Sequence, residues 1–158
     1  MYEHEIKLVC TDVDGTLTDG RIYIGSDGEV MKAFDVKDGF GISNARKQGI
    51  IFAIITGRES KIVKYRAQEL GISEVYQGVD KKIDIIKHLI KKYGLMRENV
   101  AYLGDDINDL EPIQYVGLGV AVADAHISLK KHADVVLDSK GGRGAMREFL
   151  DKYVFCET

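Results

Sequence analysis

Tryptophan is absent from this chain of 158 residues, proline occurs once and cysteine twice. Cys10 and Cys156 lie at opposite ends, so neither a disulfide framework nor a thiolate metal site is expected, and a reducing cytoplasm fits. No proline- or serine-rich linker, low-complexity tract or internal repeat divides the chain, which reads as one domain over residues 1–158. Long apolar runs are missing as well. The longest, 50–55 and 118–123, fall far short of the ~20 residues of a membrane helix, and the polar opening Met1–Lys7 is unlike a secretory leader. Basic charge is not in excess either, with 22 Lys+Arg against 25 Asp+Glu and a net charge of -3. That balance argues against nucleic acid as a partner, while leaving room for a local cationic pocket. A soluble cytoplasmic protein with no membrane and no nucleic-acid partner is expected.

What is present is a rhythm of short apolar runs and longer amphipathic ones. Residues 6–10, 50–55, 100–103, 118–122 and 133–137 read as strands, and their continuous apolar character suits a parallel sheet covered on both faces. Residues 59–70 and 81–93 carry helical periodicity and stop at Gly71 and Gly94, good positions for left-handed C-terminal caps. A further helix is expected over 145–153, and Pro112 sits near a short helix start. The alternation predicts an α/β fold: a three-layer α/β/α, Rossmann-like parallel sheet with its reactive groups on loops at the carboxyl ends of the strands. One segment breaks the rhythm. Arg21–Ile24 and Glu29–Phe34 flank Gly25-Ser26-Asp27-Gly28, a hairpin signal, so a small β-flap is expected over about 21–34. No interval is long enough for a cap domain.

The chemistry-bearing residues gather after the strands. Asp12-Val13-Asp14-Gly15-Thr16 sets two carboxylates two residues apart. Taken alone, this weighs evenly between an Asp-rich turn and a site in which one carboxylate attacks while the other handles protons. Gly104-Asp105-Asp106-Ile107-Asn108-Asp109 follows the strand at 100–103. A helix cap accounts for Asp106 or Asn108, but not for so many acid and amide groups together. Oxygen-rich clusters at two neighbouring strand ends form a natural Mg²⁺ site. Thr56-Gly57-Arg58 offers a hydroxyl, a backbone N–H and a guanidinium. Lys81 and Lys82 open a helix, where a cation is unfavourable for the helix dipole unless an anion binds or a carboxylate pairs with it.

The order Asp-x-Asp-Gly-Thr, Thr-Gly-Arg, Lys and Gly-Asp-Asp-x-x-Asp, spread over residues 12–109, resembles the haloacid dehalogenase superfamily of phosphohydrolases. More closely, the chain resembles its small capless 3-deoxy-D-manno-octulosonate 8-phosphate phosphatases. The stretches that carry the likeness are Thr11–Gly20, Phe34–Gly41, Gln77-Gly78 followed by Lys82, and Gly141–Glu148; together they reach over nearly the whole chain. The resemblance implies Asp12 as nucleophile and Asp14 as general acid/base, with Thr56 and Lys82 binding the phosphoryl group. Lys82 is preferred to Lys81 by its spacing from Gly78. Mg²⁺ would be held by Asp12, the backbone carbonyl of Asp14, and Asp105, with Asp106 and Asp109 in support. Asp12, Asp14, Thr56, Gly57, Arg58, Arg66, Lys82 and Asn108 would line the substrate site. Arg58 and Arg66 are candidates for gripping a sugar-acid carboxylate through a bidentate fork, with an exposed helix residue paired with Glu59, Glu69 or Glu74 as the alternative for Arg66.

The implied activity is Mg²⁺-dependent hydrolysis of 3-deoxy-D-manno-octulosonate 8-phosphate through an aspartyl-phosphate, a step of lipopolysaccharide precursor synthesis. The implied assembly is a homotetramer whose neighbouring subunit covers the site. The glycine-rich segment at 141–144, within a tail expected over 139–158, reads either as a mobile arm reaching the substrate or as a simple turn. Competing functions are a phosphatase for a nonulosonate 9-phosphate or another small phosphomonoester, and a non-catalytic binding module on the same fold. The resemblance also implies a choice between the sugar acids: related nonulosonate 9-phosphate phosphatases often carry an acidic residue at the position of Arg58, so arginine there favours the eight-carbon acid.

Overall fold

In a computed structural model, residues 5–156 are described. Met1–His4 of the polar opening and Glu157–Thr158 of the expected tail lie outside them. The elements run β1 (Leu8–Thr11), β2 (Tyr23–Gly25), β3 (Gly28–Met31), α1 (Val36–Lys47), β4 (Ile51–Ile55), α2 (Lys61–Glu69), β5 (Glu74–Tyr76) and α3 (Lys82–Tyr93). They continue with β6 (Val100–Gly104), α4 (Leu110–Tyr115), β7 (Leu118–Ala121), α5 (Ile127–His132), β8 (Val135–Val136) and α6 (Ala145–Phe149). Six strands form one parallel sheet in the order β5-β4-β1-β6-β7-β8. The chain winds outward from β1 through β4 to β5, then returns to start the other half at β6. The order therefore reverses between β1 and β6, the crevice where open α/β sheets bind ligands.

Strand alternation divides the core. Leu8 and Cys10 of β1 point to one face, where Ile86 and Leu89 of α3 cover them. Val9 points to the other, toward Ile42 and Ala45 of α1 and Met146 and Phe149 of α6. Period-2 side-chain direction and helices on both faces account for the apolar character of the strands. The result is the expected three-layer α/β/α sandwich, with a β2–β3 hairpin and no cap among the described residues.

Differences from the sequence reading have physical causes. Helix α1 carries no amphipathic signal: Val36 and Phe40 are exposed, whereas Asp38, Gly39 and Gly41 are buried beside Ile42 and Ala45. Asp35 starts it instead, accepting from the Lys37 and Asp38 amides as an N-cap should. β5 is a three-residue edge strand, too short for a periodicity reading, and β8 keeps only Val135–Val136 of the expected 133–137. Residues 141–150 pack against the rest of the domain. Gly142 N–H donates to the Thr16 carbonyl at 3.0 Å, Gly141 N–H donates to Asp124 at 3.0 Å, and Ala145, Met146, Phe149 and Leu150 are fully buried. The turn reading holds, and the helix after the turn belongs to the core. That helix, α6, is shorter than expected and gives way to a π-turn over Leu150–Val154.

Candidate active site

Parallel register brings three strand ends to one rim. Thr11 pairs with Ile54 and with Leu103, so Asp12, Thr56 and Asp105 each lie just past a paired position. Asp12 N–H still donates to the Leu103 carbonyl at 3.0 Å, and the chain then turns sharply. The Val13 carbonyl accepts from the amides of Thr16, Leu17 and Thr18, and Thr18 Oγ1 accepts from those of Gly15 and Gly20. This winding carries Gly15 against the second acidic loop. Its φ is +86°, and a Cβ there would stand 2.0 Å from Asp105 Oδ2, so position 15 must be glycine. Thr16 Oγ1 closes the contact by donating to Asp105 Oδ1 at 3.3 Å.

Between the loops opens a polar cleft of about 220 Å³ lined by Asp12, Asp14, Thr56, Gly57, Arg58, Asp105, Asp106 and Asn108. Lys82 enters from the start of α3, where Lys81 makes no capping hydrogen bond. Its ammonium is 3.2 Å from Asp12 Oδ1 and 2.7 Å from Asp109 Oδ1. Burial works against that charge, but Asp12 and Asp109 outweigh it and hold its pKa above the ordinary lysine value. Asp109 is completely buried. Its Oδ1 also accepts from the Tyr102 hydroxyl at 2.6 Å, and its Oδ2 accepts from the amides of Asp105 and Asp106 at 2.9 and 3.3 Å. With both oxygens so occupied, Asp109 organises the loop and anchors Lys82, leaving Asp12 and Asp105 to face the cleft.

Carboxylate oxygens of Asp12, Asp105 and Asp109 lie within 4.8 Å of one another. Burial, then the nearby Asp109, pushes Asp12 up to about 6 despite Lys82. Burial, with Asp12, Asp109 and Asp106 around it, pushes Asp105 up to about 8. Two acids this reluctant to ionise, with hard oxygen donors crowded at one point, fit a divalent cation such as Mg²⁺.

The Asp14 carboxylate stands apart from that cluster. Its Oδ1 accepts from Lys32 Nζ at 2.7 Å. Arg58 is half-exposed, with Nε 3.9 Å from Glu29 Oε1. Arg66 is not brought to the cleft. Helix α2 turns it toward α1, where NH1 pairs with Glu69 at 2.7 Å, NH2 donates to the Asp35 carbonyl and the guanidinium covers the Phe34 ring. Of the three candidate glutamate partners, Glu69 is the one Arg66 pairs with. Sequence reasoning did not single out Lys32, Glu29 or Tyr102 as site residues. Lys32 sits in a hairpin whose sequence gives no hint of burial, and Tyr102 is masked within an apolar strand run.

A family model described as haloacid dehalogenase-like hydrolase matches residues 71–149. The chain is 50% identical over 146 residues to the 3-deoxy-D-manno-octulosonate 8-phosphate phosphatase KdsC of Escherichia coli K12, covering 92% of this chain and 78% of that protein. The crystal structure of the phosphatase of that name from Yersinia pestis superposes with a TM-score of 0.93 at 45% identity, covering 96% of this chain and 82% of the other. That from Moraxella catarrhalis, in complex with magnesium ion, phosphate ion and a KDO molecule, gives a TM-score of 0.92 at 42% identity, covering 96% and 87%.

Proposed function

Since the chain belongs to the 3-deoxy-D-manno-octulosonate 8-phosphate phosphatases among the haloacid dehalogenase-like hydrolases, we propose that it cleaves that ester to the free sugar acid and phosphate. The observation that carries the reading is the meeting of Asp12, Asp105 and Lys82 at the β1/β6 crevice. Asp12 attacks phosphorus in line, forming an aspartyl-phosphate and releasing the sugar alkoxide. Asp14 donates the proton that the alkoxide requires and, once ionised, takes one from the water that opens the intermediate. Thr56 and Lys82 bind the phosphoryl oxygens. Lys82 stays cationic between its two carboxylates and so offsets charge gathering on those oxygens. Mg²⁺, held by Asp12, the Asp14 carbonyl and Asp105, supplies the positive charge that lets one anion approach another. Gly57, Arg58 and Asn108 surround the organic part, with Arg58 the candidate for its carboxylate.

One catalytic domain spans the chain, working in the cytoplasm within lipopolysaccharide precursor synthesis. No helix among the described residues is long and apolar enough to cross a membrane. A homotetramer fits the surface. Tyr23, Ile24, Val30 and Met31 of the hairpin and Val36 and Phe40 of α1 are exposed, more apolar side chain than a free monomer needs to show. An adjoining subunit would also shield a cleft that has no lid among the described residues.

The test is a kinetic screen of kcat/KM for octulosonate 8-phosphate, nonulosonate 9-phosphates and hexose phosphates, with and without EDTA. The octulosonate ester should win and EDTA should stop release. A clear preference for hexose phosphates would overturn the sugar-acid assignment. Metal-independent release would overturn the Mg²⁺ assignment, and no release from any ester would overturn the phosphatase itself.

A further inference from the structure

From residue 21 to residue 34 a single side chain is buried, and it is a lysine. Tyr23, Ile24, Val30 and Met31 are 46%, 70%, 63% and 51% exposed, whereas Lys32 is 7%. The ordinary partition of apolar and charged groups is inverted. A buried ammonium is costly unless paired, and Lys32 has two carboxylates: Asp14 Oδ1 at 2.7 Å and Glu29 Oε1 at 3.0 Å. Glu29 in turn accepts through Oε2 from the hydroxyl of Ser60, the residue that caps α2. The chain Asp14–Lys32–Glu29–Ser60 therefore ties the hairpin to the loop after β1 and the loop after β4, both of which contribute residues to the cleft. At the end of the segment Phe34 also packs on the core and bridges to Thr18, while between residues 23 and 32 it is this tie that draws the hairpin inward. The Asp14 side chain keeps 22% exposure, enough to meet a substrate while one of its oxygens is held.

We propose that Lys32 is a positioning residue of the phosphatase reaction. It fixes the orientation of the Asp14 carboxylate and, through Glu29 and Ser60, holds the hairpin at the cleft. The proposal rests on the assignment of Asp14 as acid/base. A loosely held acid/base costs turnover rather than substrate binding, because its contribution arises at the transition state.

The experiment measures steady-state hydrolysis of octulosonate 8-phosphate by wild type, Lys32→Met, Lys32→Arg and Glu29→Gln, with amide exchange followed at residues 23–31. Lys32→Met should lose on the order of 10²-fold in kcat, with KM moving less than about threefold, and Lys32→Arg should recover much of the loss. Glu29→Gln should speed exchange in the hairpin and lower kcat less, since Asp14 keeps its partner. A folded Lys32→Met with wild-type kcat, or with its loss confined to KM, would overturn the proposal. If Lys32→Met fails to fold, Glu29→Gln decides: faster hairpin exchange with lowered kcat supports the tie, and wild-type values of both overturn it. Wild-type phosphate release is the control. Its absence would overturn the phosphatase reading and this proposal with it, whereas equal release by wild type and Lys32→Met overturns this proposal alone.

Discussion

Asp12 and Asp109 share Lys82, yet their surroundings give them different work. Asp12 borders the cleft, whereas Asp109 is fully buried among one ammonium, one hydroxyl and two amides. Asp12→Asn should therefore leave the fold intact, by circular dichroism and melting temperature, and lower kcat by at least about 10³-fold. The protein must be checked for deamidation, since full activity without it would contradict covalent catalysis. Metal removal belongs to this scale too. Asp105 near 8 and Asp12 near 6 must shed protons to bind a cation. The apparent Mg²⁺ affinity should weaken as pH falls from about 8 to 6, by about tenfold per unit for each proton displaced. Mg²⁺-dependent thermal shifts at several pH values measure this, and a pH-independent affinity would contradict the raised pKa values.

Asp38 makes the pH prediction away from the site. Burial is the main cause that pushes it up from 3.8 to about 6, against hydrogen bonds from the amides of Arg147 and Gly144. The folded chain thus binds more protons than the unfolded one between those values. The stability attached to Asp38 is full below about pH 4 and is lost as pH rises through about 6, a total on the order of 3 kcal/mol. Asp38→Asn should flatten that slope in urea denaturation from pH 4 to 7.5. An unchanged slope would assign the dependence to other groups.

At the scale of elements, the strands after which chemistry sits were legible because each is a continuous apolar run ending in polar residues. Asp12, Thr56 and Asp105 could be placed at strand ends before their register was known. Helix α1 was not legible. Its buried face is built from Asp38, two glycines and Ile42, while Val36 and Phe40 face outward, so tertiary packing overrides the pattern that reading depends on. Lys32 escaped for a related reason: one of its two carboxylate partners is 18 residues away in sequence, which no local pattern reveals. Arg66 shows the converse, a residue type suited to a carboxylate ligand that its helix turns toward Glu69. The tight apposition of the two acidic loops gives an element-scale prediction. Gly15→Ala places a methyl against Asp105 at a left-handed backbone position. It should cost on the order of 1–3 kcal/mol in strain and weaken Mg²⁺ binding, read by melting temperature and metal titration. A Mg²⁺ affinity equal to wild type would show that the loops can separate without harm.

For the whole molecule, strand order explains why the site lies where it does. Only at β1/β6 does the winding reverse, and only there can loops from both halves face each other without a helix between them. Assembly also belongs to this scale. Sedimentation should give four times the 17.6 kDa chain mass, and charged substitutions at Ile24 and Val30, exposed on the hairpin, should lower it. A wild-type monomer would contradict the tetramer.

The seating of Gly141 and Gly142 on the backbone of Gly15, Thr16, Thr18 and Asp19 has a consequence for biosynthesis. The nucleophile is made early and its backing late, so a growing polypeptide still on the ribosome carries Asp12 long before the strut behind it has emerged. Arrested nascent chains ending short of residue 141 should hold both acidic loops and yet release no phosphate, with turnover beginning only once that strut and α6 have cleared the exit tunnel.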